Sequence, residues 1–418
     1  MNEKDWIKLD NAALIYPAIL SRKLASMFRL TITLSEDIDN NILQEALIKI
    51  MKRFPTFNYS LKEGFFWCYL EKINKTPRIE DDVLNPMLRK DLDKKYMFRV
   101  RTFKNRIAIE YFHSLTDGTG ALTFLLSLTA EYLKMKYNIK IKYSNLVLNP
   151  KDKPTEEEMS DSFLKYARKT GALEHEKKAY HMKGTKEKPN IINIITGKMN
   201  VDEVKKISKQ YNASITEFIT SMILYSIKQM VKTKKQIKVS VPINLRNIYK
   251  TSTLRNFSSY MNVGINGSED YTLNEIIGSV KTQLKEMSEE KRINAKISGN
   301  VKLMKNHLIR RIPMFIKKHF MSFAEARMGD GYITTTFSNL GLVKLDAPMN
   351  KYVTDMNFIL GNSRGKPGSV TAIGYGDNLY ITFSRKIKES ELERLFFTNL
   401  SKMGLDIEIE SNRWNNEM

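Results

Sequence analysis

One cysteine, Cys68, occurs in the 418 residues. That excludes an internal disulfide framework and a zinc centre built on paired thiolates, and it fits a reducing compartment. Histidine is scarce too. His113, His175, His181, His307 and His319 are the full set, and none stands at the spacing of a metal-ligand pair, so no metal is expected. No run of about 18 apolar residues occurs, so no segment reads as membrane-spanning. The opening Met1-Asn2-Glu3-Lys4-Asp5-Trp6 lacks the apolar centre of a secretion signal. The expectation is a soluble, cytoplasmic protein, with peripheral attachment to a membrane left open. Acidic residues are in deficit: 46 Asp and Glu face 68 Lys and Arg, a formal charge of +22. Such a surplus favours acidic partners, whether phosphate-bearing small molecules, an acidic carrier protein, anionic lipid or nucleic acid. Nucleic acid is the weakest of these, because no recognised binding motif occurs and the basic residues are not placed with stacking aromatics.

What the chain does have is apolar substance, 42% of its residues, and a length that suits two lobes. The first lobe is read over 1–150, a charged connection over 151–190, and the second lobe over 191–418. The connection is marked by Lys151-Asp152-Lys153-Pro154 and punctuated by Gly171, Gly184 and Pro189. In the first lobe, Met27 to Leu34 alternates as a strand, Asp39 to Arg53 carries one apolar face at helical spacing, and Lys62 to Leu70 reads as a hairpin turning at Glu63-Gly64. Met97 to Phe103 and Arg106 to Phe112 read as a second hairpin, whose outgoing strand, Arg106 to Phe112, alternates as a half-buried strand does and delivers His113 at its end. The next apolar run, from Ala121, is helical. His113 therefore falls at a strand-to-helix junction, where Thr116, Asp117, Gly118 and Gly120 supply cap and turn chemistry. A histidine so placed, largely neutral near pH 7, is a candidate base. Asp117 could hold the imidazole, or point away and pin the loop to an arginine.

The second half alternates again: strand Ile191 to Met199, helices Val201 to Tyr211 and Thr216 to Val231, and strand Ile237 to Pro242. Two further segments follow, Pro242-Ile243-Asn244-Leu245-Arg246 and Arg255-Asn256-Phe257-Ser258-Ser259-Tyr260-Met261-Asn262, whose meaning rests on a family resemblance. Later, Tyr332 to Phe337 reads as a strand ending in Ser338-Asn339-Leu340-Gly341. The tail closes with a strand at Leu379 to Ser384 and a capped helix from Ser390 to Lys402.

His113-Ser114-Leu115-Thr116-Asp117-Gly118 resembles the HxxxDG motif of the chloramphenicol acetyltransferase-like acyltransferases, which include BAHD enzymes and condensation domains. The continuation Thr119-Gly120, with the two segments around Arg246 and Asn256, is most similar to their alcohol O-acetyltransferase-like branch. The resemblance covers most of the chain. It implies an α/β fold of two such lobes, each a mixed sheet with flanking helices, meeting at a channel. It implies that His113 is a general base and Asp117 architectural, with Arg246 as the partner of Asp117 across the lobes. Ser338 and Asn339, whose S-N-L-G pattern recurs in the superfamily near the histidine, become candidate oxyanion donors. The implied activity is acyl transfer from coenzyme A or a carrier protein to an alcohol, with the thioester a co-substrate and no tightly bound cofactor. Two departures narrow it. Condensation domains carry a second histidine where this chain has Phe112, and the DFGWG segment of BAHD enzymes is missing. The alternative is a non-catalytic binding or regulatory protein on the same scaffold, docking an acidic partner through its basic surface.

One further stretch is distinctive. Between Lys291 and Phe323 no acidic residue occurs, while lysines, arginines and apolar side chains interleave. Read as a basic apolar helix, it can rest on an anionic membrane, bind an acidic carrier, or cover the core with its charges outward.

Overall fold

The computed structural model describes residues 5–11, 13, 26–86, 96–168, 176–317, 330–361 and 368–413. His175, His319, 14–17 and 318–323 lie outside them. The chain opens with strands β1 (Trp6–Lys8) and β2 (Met27–Leu34) and helix α1 (Asn40–Arg53). Asp39 caps α1 by accepting from the amides of Asn41 and Ile42, and Leu43, Ala46, Leu47 and Ile50 form its buried stripe. Strands β3 (Tyr59–Glu63) and β4 (Cys68–Lys72) make a hairpin that β1 completes as a small sheet in the order β1-β4-β3.

Strands β5 (Ile79–Asp81), β6 (Phe98–Phe103) and β7 (Arg106–Phe112) follow. The hairpin between β6 and β7 turns at Lys104, whose φ of 50° is the left-handed conformation. The reading of β7 as half-buried is corrected here, because Ile107 to Phe112 are all buried. The face that alternation assigned to solvent is closed by charge pairing. Glu110, fully buried, accepts from Arg29 at 3.1 Å and from Arg99 at 2.5 Å, and Arg29 also makes two bonds to Asp82 at 2.6 and 2.8 Å. Paired in this way, the charges tolerate burial that each alone would resist.

Helix α2 (Gly118–Tyr137) is buried from Gly120 to Leu133 without a break. An all-round buried helix is a central helix, and Phe54, Phe57 and Phe98 pack against its Phe124. After the short helix α3 (Ser162–Tyr166) come β8 (Asn193–Asn200), α4 (Val201–Gln210), α5 (Ile215–Met230), β9 (Gln236–Asn244), β10 (Ser258–Asn266), α6 (Leu273–Met287), α7 (Glu290–Lys305), α8 (His307–Arg311), β11 (Thr335–Val343), β12 (Val353–Leu360), β13 (Gly368–Tyr375), β14 (Asn378–Arg385), α9 (Glu391–Lys402) and β15 (Glu408–Ser411). A seven-stranded sheet runs β10-β9-β11-β13-β14-β8-β15. It is mixed: β11 is parallel to both neighbours, β9 and β13, and the other pairs are antiparallel.

The chain-order division at 191 does not sort the strands by sheet. β12 leaves the second half and pairs antiparallel with β2, giving a first sheet ordered β12-β2-β7-β6-β5. Its Met356 and Phe358 enter the first lobe's core. Three local expectations are also corrected. The basic stretch is not one helix, because α7 stops at Asn306 and Pro313 follows α8. Ser338 and Asn339 lie within β11 rather than at a strand end, since a bulge between Asn339 and Leu342, with Gly341 at φ +76°, lets the strand continue to Val343. Ser390 precedes α9 without capping it through its side chain. β12 has a local alternation, Asp355-Met356-Asn357-Phe358, but nothing local shows that its partner is β2, with Met356 opposite Ile32.

Replacing Glu110 by alanine strands buried arginines. The expected result is a loss of about 3–5 kcal/mol of stability, measured as a lowered denaturation midpoint with an unchanged slope.

Candidate active site

The loop from His113 to Gly118 is tied down by hydrogen bonds to segments from both halves of the chain. The amide of His113 donates to the Ser26 carbonyl at 2.9 Å, continuing the β2-β7 ladder one step beyond the strand. Thr116 Oγ1 donates to the Leu254 carbonyl at 2.6 Å. Gly120 permits that approach: a Cβ there would lie 2.3 Å from the Leu254 oxygen and 2.2 Å from Thr116 Oγ1. Thr119 Oγ1 accepts from Asn244 Nδ2 at 3.0 Å. The start of α2 is thus sewn to the segment between β9 and β10, across the two halves of the chain.

Asp117 carries most of that seam. Its Oδ1 accepts from the Gly120 amide at 3.1 Å, which makes it the cap of α2. Its Oδ2 accepts from Arg246 Nη1 at 2.7 Å and from the Phe257 amide at 2.7 Å. Arg246, read from sequence as a candidate anchor, sits in a one-turn 3-10 helix with its side chain only 11% exposed. Its Nε donates to the Thr253 carbonyl at 2.9 Å and its Nη2 to the Arg255 carbonyl at 2.7 Å. With both oxygens engaged elsewhere, the Asp117 carboxylate acts on His113 only through its charge.

The hydrogen bond across from the imidazole is made by a residue that sequence reasoning did not single out. His113 Nδ1 lies 3.2 Å from Asn256 Oδ1. Asn256 Nδ2 in turn donates to Asp10 Oδ2 at 3.3 Å. A carboxylate only accepts, so Asp10 holds the Asn256 amide with its NH2 inward and its carbonyl toward the histidine. The carbonyl requires a donor, so Nδ1 carries the proton and Nε2 is left as the basic nitrogen. Asp10 is fully buried, 3.5 Å from Arg255 Nε, and also accepts from the Ala13 amide. Burial outweighs the arginine and pushes its carboxyl up to about 6. Asn256 stands in a segment that only the family resemblance marks, and Asp10 opens a stretch that reads from sequence as a short capped segment with no sign of a site.

Burial also lowers the His113 pKa below the ordinary histidine value, exceeding the opposing effects of a hydrogen bond to its own backbone, the Asp117 charge and the Asn256 contact. The ring packs 5.1 Å from Phe28. Neutral, tautomer-fixed and partly exposed, it has the properties of a general base.

Ser338 and Asn339 approach the loop through their strand. Gly118 faces Leu340, whose Cδ2 would lie 2.6 Å from a Cβ at that glycine. Asn339 Nδ2 donates to Thr216 Oγ1 at 3.1 Å, and its Oδ1 accepts from the Gly341 amide at 2.8 Å, which orients the carboxamide and leaves its second N–H. No contact brings either residue to His113 in the way that Asn256 is brought.

Nitrogen NMR of the imidazole should show the Nδ1–H tautomer at His113 and a titration midpoint below 6.5. A midpoint above that value would contradict the burial argument.

No protein-family model matches the chain, and no curated protein matches it by sequence. Solved structures do match by shape. F. sporotrichioides TRI101, complexed with coenzyme A and T-2, superposes with a TM-score of 0.65 at 9% identity, covering 98% of this chain and 100% of that one. The first condensation domain of the calcium-dependent antibiotic synthetase gives 0.64 at 11% identity, over 96% and 97%. Fusarium sporotrichioides TRI3, a trichothecene 15-O-acetyltransferase, gives 0.59 at 11% identity, over 94% and 93%. Along nearly its whole length, the chain has the two-lobed fold that the chloramphenicol acetyltransferase-like acyltransferases and condensation domains share.

Proposed function

We propose that this protein is an acyl-thioester-dependent O-acyltransferase with His113 as its general base. The observation that carries the reading is the Asp10-Asn256-His113 chain, which directs the proton to Nδ1 and leaves Nε2 basic at the seam of the lobes. Nε2 takes the proton of an acceptor hydroxyl as its oxygen attacks the thioester carbonyl carbon, and the carbonyl electron pair moves onto oxygen. Asn339, through its second N–H, or Ser338 stabilises that oxyanion. Collapse breaks the carbon–sulfur bond, and the leaving thiolate takes the proton back from the imidazolium, giving ester and free thiol. No acyl-enzyme is required, because both substrates align in one channel. Asp117 and Arg246 hold the loop and transfer no proton.

The fold supports this reading, since a similarly folded structure holds coenzyme A and another is an O-acetyltransferase. The donor is therefore written as acyl-coenzyme A, or an acyl carrier protein presenting the same thioester, and the acceptor as an alcohol. Neither is a bound cofactor.

The test is release of free thiol from acetyl-coenzyme A in the presence of mixed alcohols. His113→Ala is expected to lower alcohol-dependent release by about 10²- to 10⁴-fold with an unchanged melting temperature, and turnover retained in that variant overturns the assignment. Asn256→Ala removes one hydrogen bond, worth about 1 kcal/mol, so kcat should fall several-fold to about tenfold while KM stays constant. Because the base must be unprotonated and its pKa is lowered, kcat/KM should rise with pH and reach its plateau with an acidic midpoint below 6.5.

A further inference from the structure

The turn joining β3 to β4 consists of Gly64, Phe65, Phe66 and Trp67, closed by the Gly64 amide donating to the Trp67 carbonyl at 2.9 Å. Turns in water favour polar residues, yet Phe65 is 66%, Phe66 37% and Trp67 47% exposed. Neither the core nor the histidine site accounts for three consecutive aromatics there. Against this tip lies the chain that follows α8. The Met314 amide donates to the Phe65 carbonyl at 2.6 Å, and Lys317 Nζ donates to the Phe66 carbonyl at 2.7 Å. Within α8 Leu308 is 77% exposed, and after it Ile312 and Ile316 are exposed as well. Two stretches far apart in sequence therefore build one apolar projection.

The segment lying against the tip is cationic, while the hairpin itself carries Glu63 just before the turn and Glu71 paired with Lys62. Lys302, Lys305, Arg310 and Arg311 are exposed, and no acidic residue occurs from 291 to 323. Beside Leu308 an open cleft of about 680 Å³ is lined in part by Lys302, Lys305 and His307. Among the described residues no helix is long and apolar enough to cross a membrane.

We propose that this face docks the protein peripherally on an anionic lipid bilayer, with the Phe65-Phe66-Trp67 tip entering the headgroup–acyl boundary and the surrounding lysines and arginines meeting lipid phosphates. Aromatic rings are favoured at that boundary, and basic side chains near it are drawn to anionic leaflets. An acidic carrier protein would satisfy the cations equally, but it gives no role to rings displayed at the end of a hairpin. The charge and the protruding rings are both used only by a bilayer.

The experiment is flotation of the full-length protein with vesicles of phosphatidylcholine alone and of phosphatidylcholine with phosphatidylglycerol. The expected result is recruitment to the anionic vesicles only, with a blue shift of tryptophan emission that W67F removes. Replacing Phe65, Phe66 and Trp67 by serine keeps the charge and should weaken partitioning at least tenfold. Replacing Lys205, Lys206 and Lys209 of α4 by glutamine removes three exposed charges elsewhere and should change it little. If the triple serine variant melts lower than the parent, W67S and the R310Q/R311Q pair carry the same comparison. Three outcomes overturn the proposal: no recruitment to anionic vesicles; equal losses from the aromatic and the α4 variants, which would mean generic charge attraction; or capture by an acidic acyl carrier protein, abolished by the aromatic substitutions, with vesicles ignored.

Discussion

The carboxylate of Asp117 is the constraint on which the geometry around the histidine depends. It caps the central helix, holds Arg246, and accepts the Phe257 amide at 2.7 Å. Each contact comes from a different stretch of chain, so one side chain sets the position of the helix start relative to the segment that carries Asn256. Arg246 is held in turn by two backbone carbonyls, so its direction is fixed by the chain and not by the carboxylate alone. A mostly buried ion pair with nearly every polar atom matched places groups well even where its net contribution to stability is small.

That placement explains a division of labour. In a serine-protease-like triad the acid faces the histidine; here the nearby acid faces away, and a neutral carboxamide faces the ring instead. A neutral partner fixes the tautomer without the strong upward pull on the pKa that a directly bonded carboxylate would give. Burial is then free to lower it, which favours the unprotonated imidazole. The acidic member of the chain, Asp10, is placed one residue further back, where it orients Asn256 at 3.3 Å and meets Arg255.

How much of this could be read from sequence follows from distance along the chain. His113 at a strand end, the helix from Gly118 and the cap at Asp117 are local, because they depend on alternation, helical spacing and capping within a few residues. The two-lobed α/β fold and the Asp117–Arg246 pairing were legible through resemblance, not through pattern, since 129 residues separate the partners. Asn256 lay in plain view, but its role depends on which way an amide points across 143 residues, and no periodicity encodes that. The expectation that the strand ends at Ser338-Asn339 fails because the left-handed Gly341 makes a bulge that carries β11 onward. The buried side of β7 was read as exposed because polar alternation looks the same whether water or a set of counter-charges meets it.

The exchange of β12 into the first sheet also bears on how the protein is made. β7 is complete at Phe112, but β2 gains its second neighbour only when Leu360 has been synthesised. At about 5–20 residues per second, the interval is about 12–50 s. Throughout it one side of β2 offers unpaired amides and carbonyls to any passing strand. The first sheet therefore keeps an open edge until late in synthesis, and Val353–Leu360 is the strand that closes it.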